Sequence, residues 1–283
     1  PPAAITDLLA SPASASFTGG AGATTAVALA DVLGDTRLDV IVVRGTTSAV
    51  YANLGTTWGT AVTLATPGAN SVAVGDVDSD GRADIVLGAG SGGGALVFRA
   101  EPSGTEPDGN AVGFASALAL ADSGTVAVVL ADLTQDDLPD LVVVNSGGDH
   151  HVYVNAGGVG ASWTPFATPV TVANTRASTG AASGDVDGDG DTDLVAGSAE
   201  GIKVLLNNAG TFVVAPFTPG GVVVDPAVLT DPLTGIYYSP TSTQNSPWGL
   251  AFGDLDADGD LDLWVGDRAL YICLLYTSDA ADE

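Results

Sequence analysis

Methionine is missing from this 283-residue chain altogether, and cysteine occurs once, at Cys273. A single thiol excludes an internal disulfide framework, so any stapling of the fold falls to other devices, bound metal among them. Basic residues are nearly as scarce: 7 Lys and Arg stand against 34 Asp and Glu, for a formal net charge of −27. Seven scattered cations cannot line a phosphate-binding stripe, which argues against nucleic acid and against an anionic membrane surface as partners. No run of about 18 apolar residues occurs, so no membrane span is expected here. The chain opens Pro1-Pro2-Ala3-Ala4 without an initiator and is read as a fragment, any signal peptide removed or never sequenced.

What is present points elsewhere. Hydrophobic residues make up 46% of the chain, too many for a disordered acidic tail, while aromatics supply only 6%. Short runs of Val, Leu and Ala cut by 38 glycines predict many short strands rather than long helices.

Those runs repeat. Five segments share an apolar lead-in, an aspartate cluster and a second apolar run: ALADVLGDTRLDVIVV from Ala28, AVGDVDSDGRADIVLG from Ala73, VLADLTQDDLPDLVVV from Val129, ASGDVDGDGDTDLVAG from Ala182 and AFGDLDADGDLDLWVG from Ala251. Their leading aspartates, Asp31, Asp76, Asp132, Asp185 and Asp254, are roughly 45 to 70 residues apart. After a turn comes another apolar stretch, then an Asn/Gly turn and an aromatic: Asn53, Gly55 and Trp58; Asn155, Gly158 and Trp163; Asn208, Gly210 and Phe212. The second repeat departs from this, passing through Phe98 and Arg99 into a longer polar stretch before Phe114. Each repeat thus offers about four short strands, too small a sheet to bury both faces alone. Radial stacking answers that need, so the expected fold is all-β, an incomplete β-propeller of four-stranded antiparallel blades. A linear β-solenoid is the alternative, though it ordinarily keeps shorter, stricter periods.

The clusters read Asp-x-Asp-x-Asp-Gly-x-x-Asp. In the second repeat these are Asp76, Asp78, Asp80, Gly81 and Asp84; in the fourth Asp185, Asp187, Asp189, Gly190 and Asp193; in the fifth Asp254, Asp256, Asp258, Gly259 and Asp262. Calcium seeks six to eight oxygen ligands, and alternate carboxylates around a tight turn supply them. The seventh position adds a main-chain carbonyl, at Arg82, Asp191 or Asp260. Without a cation the carboxylates repel one another. More than half of the acidic residues lie in these loops, so the charge imbalance is mostly an inventory of ligands. Two loops are degenerate. The first keeps Asp31, Asp35 and Asp39 but has Leu33 and Thr36; the third keeps Asp132, Asp136 and Asp140 but has Thr134 and Asp137. A hydroxyl or carbonyl can stand in for a carboxylate, so both remain candidate sites.

An EF-hand needs a bidentate Glu at position 12, where these loops have Leu87, Ala196 or Val265. With the last carboxylate at position 9, at the head of a strand, the pattern resembles the FG-GAP/VCBS repeats of the integrin α-subunit type of propeller, over about residues 17–272. The resemblance implies seven blades, an extracellular or cell-surface location, calcium bracing the blade loops, and ligand binding by the loops of one face. Seven blades of about 50 residues exceed this chain, so about five are expected, with the rest missing. Residues 273–283 abandon the pattern and are set apart as an atypical, non-native-looking tail, with a divergent strand as the alternative.

Other features carry less. Tyr237, Tyr238 and Trp248 lie in the longest interval, where aromatics either grip a ligand or pack beneath an insertion. His150 and His151 are neighbours on a strand, so they point to opposite faces and do not make one site. No nucleophile elbow or phosphate loop is present, although a glycosidase-like carboxylate pair is defined only in three dimensions. The expected function is a calcium-stabilised binding or adhesion module for an extracellular protein or glycan; the alternative is a carbohydrate-active propeller, lectin or polysaccharide lyase.

Overall fold

The computed structural model describes residues 23–90, 93–102, 112–163, 166, 168–172, 178–186, 188–198, 201–208, 210–215, 247–253, 262–267 and 273–275. Apart from one 3-10 turn, Gly160–Ser162, the regular structure among them is entirely β. The first repeat forms β1 (Thr24–Ala30), β2 (Asp39–Arg44), β3 (Thr47–Tyr51) and β4 (Val62–Ala65), an antiparallel sheet in that order. The second forms β5 (Ala69–Gly75), β6 (Asp84–Ala89) and β7 (Ala95–Phe98), then leaves its sheet for a hairpin of β8 (Ala100–Pro102) and β9 (Val112–Phe114). It returns as β10 (Leu118–Ala119) on the free edge of β7, completing four strands. That hairpin is the physical form of the second repeat's departure from the pattern.

β11 (Thr125–Ala131) opens the third repeat, and β12 (Asp140–Asn145), β13 (His150–Tyr153) and β14 (Val170–Val172) pair antiparallel after it. The fourth repeat is a complete sheet of β15 (Ser178–Gly184), β16 (Asp193–Ser198), β17 (Gly201–Asn208) and β18 (Thr211–Ala215). In the fifth, β19 (Pro247–Gly253) and β20 (Asp262–Asp267) are joined by β21 (Cys273–Leu275), so the segment set apart at 273 contributes a paired strand. The predicted all-β class and its four-stranded antiparallel sheets are the ones found.

The chain divides into two compact units, residues 1–130 with 155–167, and residues 131–154 with 168–283. In the first unit, Ala30, Val32, Ile41 and Val43 of the first repeat pack against Ile85, Leu87 and Phe98 of the second. Ile85 and Leu87 are fully buried, each worth about 1.5–3 kcal/mol. In the second unit Val195 and Val204 pack with Val186, Leu206, Leu250 and Phe252. β2, β6 and β12 are buried at every residue, which is why their sequences are apolar without alternation.

Lead-in strands share a bulge near their start, at Thr24/Ala26, Ala69/Ser71, Ser178/Gly180 and Pro247/Gly249. The extra residue turns its side chain to new use. In the first unit Thr25 Oγ1 donates to the carbonyl of Ala69 (3.2 Å) and Asn70 Nδ2 to that of Thr125 (3.2 Å), each tying one lead-in strand to the next.

Candidate metal centre

Every described loop leaves a lead-in strand and ends on the first residue of the next one, Asp39, Asp84, Asp140 or Asp193. These four carboxylates are fully buried. One oxygen, Oδ2, accepts the N–H of the second loop residue: Val32 (3.0 Å), Val77 (2.8 Å), Leu133 (3.0 Å) or Val186 (2.7 Å). The other, Oδ1, accepts an N–H just past or within the end of the third strand, from Asn53 (2.8 Å), Ala100 (2.8 Å) or Asn207 (2.7 Å). In each described loop, degenerate or not, the ninth-position aspartate therefore holds the second loop residue, and in the first, second and fourth it also clamps the end of the third strand. The fourth-repeat residue equivalent to Asn53 is Asn207, not its neighbour Asn208, to which the repeat pattern pointed.

Main-chain N–H groups also converge on the first aspartate. Its Oδ2 accepts from the sixth loop residue, Thr36 (2.6 Å), Gly81 (2.8 Å), Asp137 (2.8 Å) or Gly190 (3.0 Å). The fifth carboxylate accepts from the seventh N–H, as Asp35 from Arg37, Asp80 from Arg82, Asp136 from Leu138 and Asp189 from Asp191. Wrapping the chain this tightly needs left-handed backbone at two positions. The sixth shows φ of 71° at Thr36, 88° at Gly81, 64° at Asp137 and 92° at Gly190. The fourth does the same at Gly34, Ser79, Gln135 and Gly188, with φ between 53° and 75°. Sequence reasoning missed the fourth position, whose signal was glycine in two loops and small or polar residues in the others.

In the second loop, ligand atoms of Asp76, Asp78 and Asp84 lie within 4.8 Å of one another. Asp78 is 1% exposed, and its Oδ1 is buried without a hydrogen bond. Its Oδ2 accepts from Arg99 Nη1 at 2.8 Å. Burial pushes the Asp84 carboxyl up to about 7, against the lowering effect of the Ala100 and Val77 N–H bonds, and the negative charges of Asp78 and Asp76 raise it further. Three converging carboxylates, one with a bare buried oxygen, fit a hard cation that takes oxygen ligands. Asp80 stands apart from this trio, its Oδ2 held by Arg82 Nη1 at 3.0 Å.

The remaining predicted ligands divide by loop. Asp31 accepts from the Asp35 and Thr36 N–H groups, and Asp35 is ion-paired with Arg37. Burial raises the Asp39 carboxyl despite its three N–H donors. Asp132 accepts from Thr134, Asp136 and Asp137, while the Thr134 hydroxyl donates to Asp140 at 3.3 Å. In the fourth loop Asp185 accepts from Gly188 and Gly190, and Asp191 is hydrogen-bonded by Gln135. Asp187, Asp254, Asp256, Asp258 and Asp260 lie outside the described residues, as do the side chain of Asp262, Tyr237, Tyr238 and the Trp248 ring.

The histidines separate as expected. His150 is buried, its Nδ1 accepting from the Asn145 N–H (3.2 Å) and its Nε2 bonded to Ser178 Oγ (2.8 Å). His151 is half-buried and meets Tyr153 edge-on. Among the recurrent aromatics, Trp58 packs on Val40, Val42 and Tyr51. Trp163 is held by Asn155 Oδ1 (3.1 Å), by Phe166 edge-on and by the Arg99 guanidinium 5.4 Å above its ring.

Comparison with known proteins follows the repeats. A model of the FG-GAP-like repeat matches residues 31–87, 132–196 and 185–265, and a model of the FG-GAP repeat matches residues 68–110. No curated protein matches the chain. Among solved structures, it is similar to an Agrocybe aegerita lectin described as recognising non-reducing terminal N-acetylglucosamine, with 22% identity and a TM-score of 0.52 over 86% of this chain. It is also similar to BBS1N in complex with ARL6DN, at 11% identity and a TM-score of 0.51 over 93% of this chain and 71% of that one. A third likeness is to the Chaetomium thermophilum Nup170 NTD–Nup53 complex, at 13% identity and a TM-score of 0.55 over 99% of this chain and 38% of that one. The chain spans 60% of the lectin's length. At these identities the likeness is one of fold.

Proposed function

Because the chain belongs to the FG-GAP-like repeat family, we propose that it is a propeller-type binding domain braced by calcium and working outside the cell or at its surface. The convergence of Asp76, Asp78 and Asp84 around a bare, buried Asp78 oxygen carries the metal part of this reading. Asp76, Asp78 and Asp84 would hold the ion in the second loop. Calcium supplies charge neutralisation there rather than chemistry, and couples folding to its concentration. Asp185 and Asp189, with the same first and fifth positions, make the fourth loop the next candidate.

Support for a location outside the cell comes from the repeat family, and among the described residues no helix is long and apolar enough to cross a membrane. An extracellular protein or glycan is the proposed ligand, received by the loops between strands. The likeness to an N-acetylglucosamine-recognising lectin favours a glycan as the second reading, a carbohydrate-binding propeller. Trp163 would not serve as its stacking platform, because Arg99 already covers that ring.

Thermal unfolding in millimolar calcium, in chelator and in magnesium tests the metal. A site held at 100 times its dissociation constant adds about 2.7 kcal/mol, so calcium should raise the melting temperature by several degrees and magnesium by less. Identical melts in all three would overturn the reading. A glycan array, screened beside extracellular protein ligands, distinguishes the two ligand classes.

A further inference from the structure

We propose that Arg99 is a built-in counter-cation of the second loop, sharing Asp78 with the divalent ion and lowering the loop's dependence on it; the inference rests on the cation reading above. Repeat equivalence shows how unusual this residue is. The Ala100 N–H bonds Asp84 as those of Asn53 and Asn207 bond Asp39 and Asp193, so Arg99 stands where the first and fourth repeats have Ala52 and Leu206. In a chain with only 7 basic residues, one is placed at a position otherwise apolar.

The guanidinium is tightly held. Nη1 donates to Asp78 Oδ2 at 2.8 Å and to the Gly160 carbonyl at 2.7 Å, and the group lies over the Trp163 ring. The Gly160 N–H returns a bond to the Asp78 carbonyl at 3.0 Å, and Asn155 Nδ2 bonds the neighbouring Val77 carbonyl at 2.8 Å. The segment around Asn155 to Trp163 is thereby docked on the second loop, with Arg99 and Asp78 at the centre of the joint. Arg82 adds a second guanidinium on Asp80, at 3.0 Å and more exposed.

Arg99 uses only one oxygen of Asp78, and the other carries no hydrogen bond. Without the ion, Asp78 is a buried anion beside Asp76 and Asp84, and Arg99 is what compensates it. With the ion bound, Oδ1 gains a second cationic partner and depends less on the first. Removing Arg99 therefore costs the metal-free protein more than the loaded one, because a buried charge left alone is the expensive case. Linkage then requires that the same change tighten calcium binding, on the order of tenfold.

The experiment compares the chain with Arg99→Leu, which copies the fourth repeat, by melting in calcium and in chelator and by equilibrium dialysis of calcium. Arg99→Leu is expected to lose several degrees in chelator, much less in calcium, and to bind calcium more tightly. Adding Asp78→Asn to Arg99→Leu is expected to recover the chelator melt, which lost packing on Trp163 and Gly160 could not do. Arg99→Lys, which keeps the charge, reports the same comparison should Arg99→Leu fail to fold in chelator, and it should lose less there. Equal losses in both conditions with no recovery by Asp78→Asn would make Arg99 a packing residue only and overturn the proposal. Failure of the underlying cation reading is seen separately, as no calcium bound by the unaltered chain in dialysis.

Discussion

Asn155 Nδ2 donates to the main-chain carbonyl of Val77 at 2.8 Å, joining the turn of one repeat to the loop of the preceding one. Asn207 makes the same bond to Leu133, also at 2.8 Å. Val77 and Leu133 are the second residues of their loops and fully buried, so their carbonyls have no water to fall back on.

Asn155→Ala should therefore destabilise the protein by about 2–3 kcal/mol, because it orphans the Val77 carbonyl and also releases the Gly157 N–H and Trp163 Nε1. Asn53→Ala should cost about 1 kcal/mol or less, since its side chain bonds exposed groups, the Leu38 carbonyl and the Gly55 N–H. Urea unfolding of the two variants provides the comparison, and equal losses would count against the inter-repeat bond.

Thr36 holds φ at 71° in the first loop, where two of the other described loops use glycine. A β-branched residue is strained there by about 1–2 kcal/mol. Thr36→Gly should stabilise the protein by up to about 1 kcal/mol after the entropy of glycine is offset. Asp137→Gly should gain less, because aspartate tolerates this region. Denaturant midpoints measure both.

Stability in chelator should fall with rising pH. Asp84 has a folded pKa of about 7 against an ordinary 3.8, so its contribution is fully present below about pH 4 and is lost as pH rises through 7. Asp39, also raised by burial, acts in the same direction. Calcium should reverse the trend by holding Asp84 ionised. Melting curves at pH 4.5 and 7.5, with and without calcium, give the sign; a chelated protein more stable at pH 7.5 contradicts it.

His150→Ala should cost about 2–4 kcal/mol, since it opens a cavity and strips partners from the Asn145 N–H and Ser178 Oγ. His151→Ala, on the half-buried side of the strand, should cost under about 1 kcal/mol. Neither change should alter calcium binding, as followed by dialysis.

Much of this architecture was legible in advance because it is written in local patterns. Unbroken apolar runs such as Ile85-Val86-Leu87 mark strands buried on both faces, and aspartates at alternate positions before them mark tight acidic loops. The second repeat resisted reading past Phe98 because its fourth strand, β10, comes only after a separate hairpin. The role of the ninth aspartate was only half visible. Its spacing suggests a ligand, whereas its burial under two N–H donors makes it first a clamp on the chain.

Composition, repetition and spacing were thus enough to specify short antiparallel strands, acidic loops and the excess of negative charge, all of which depend on neighbours close in sequence. What the folded chain alone decided are relationships between residues far apart along it. Arg99 meets Asp78 and Gly160, Asn155 reaches Val77, and His150 finds Ser178. The pattern within a repeat does not announce such pairs, because each depends on which side chains the packed sheets bring within about 3 Å, where a hydrogen bond or a shared charge can form.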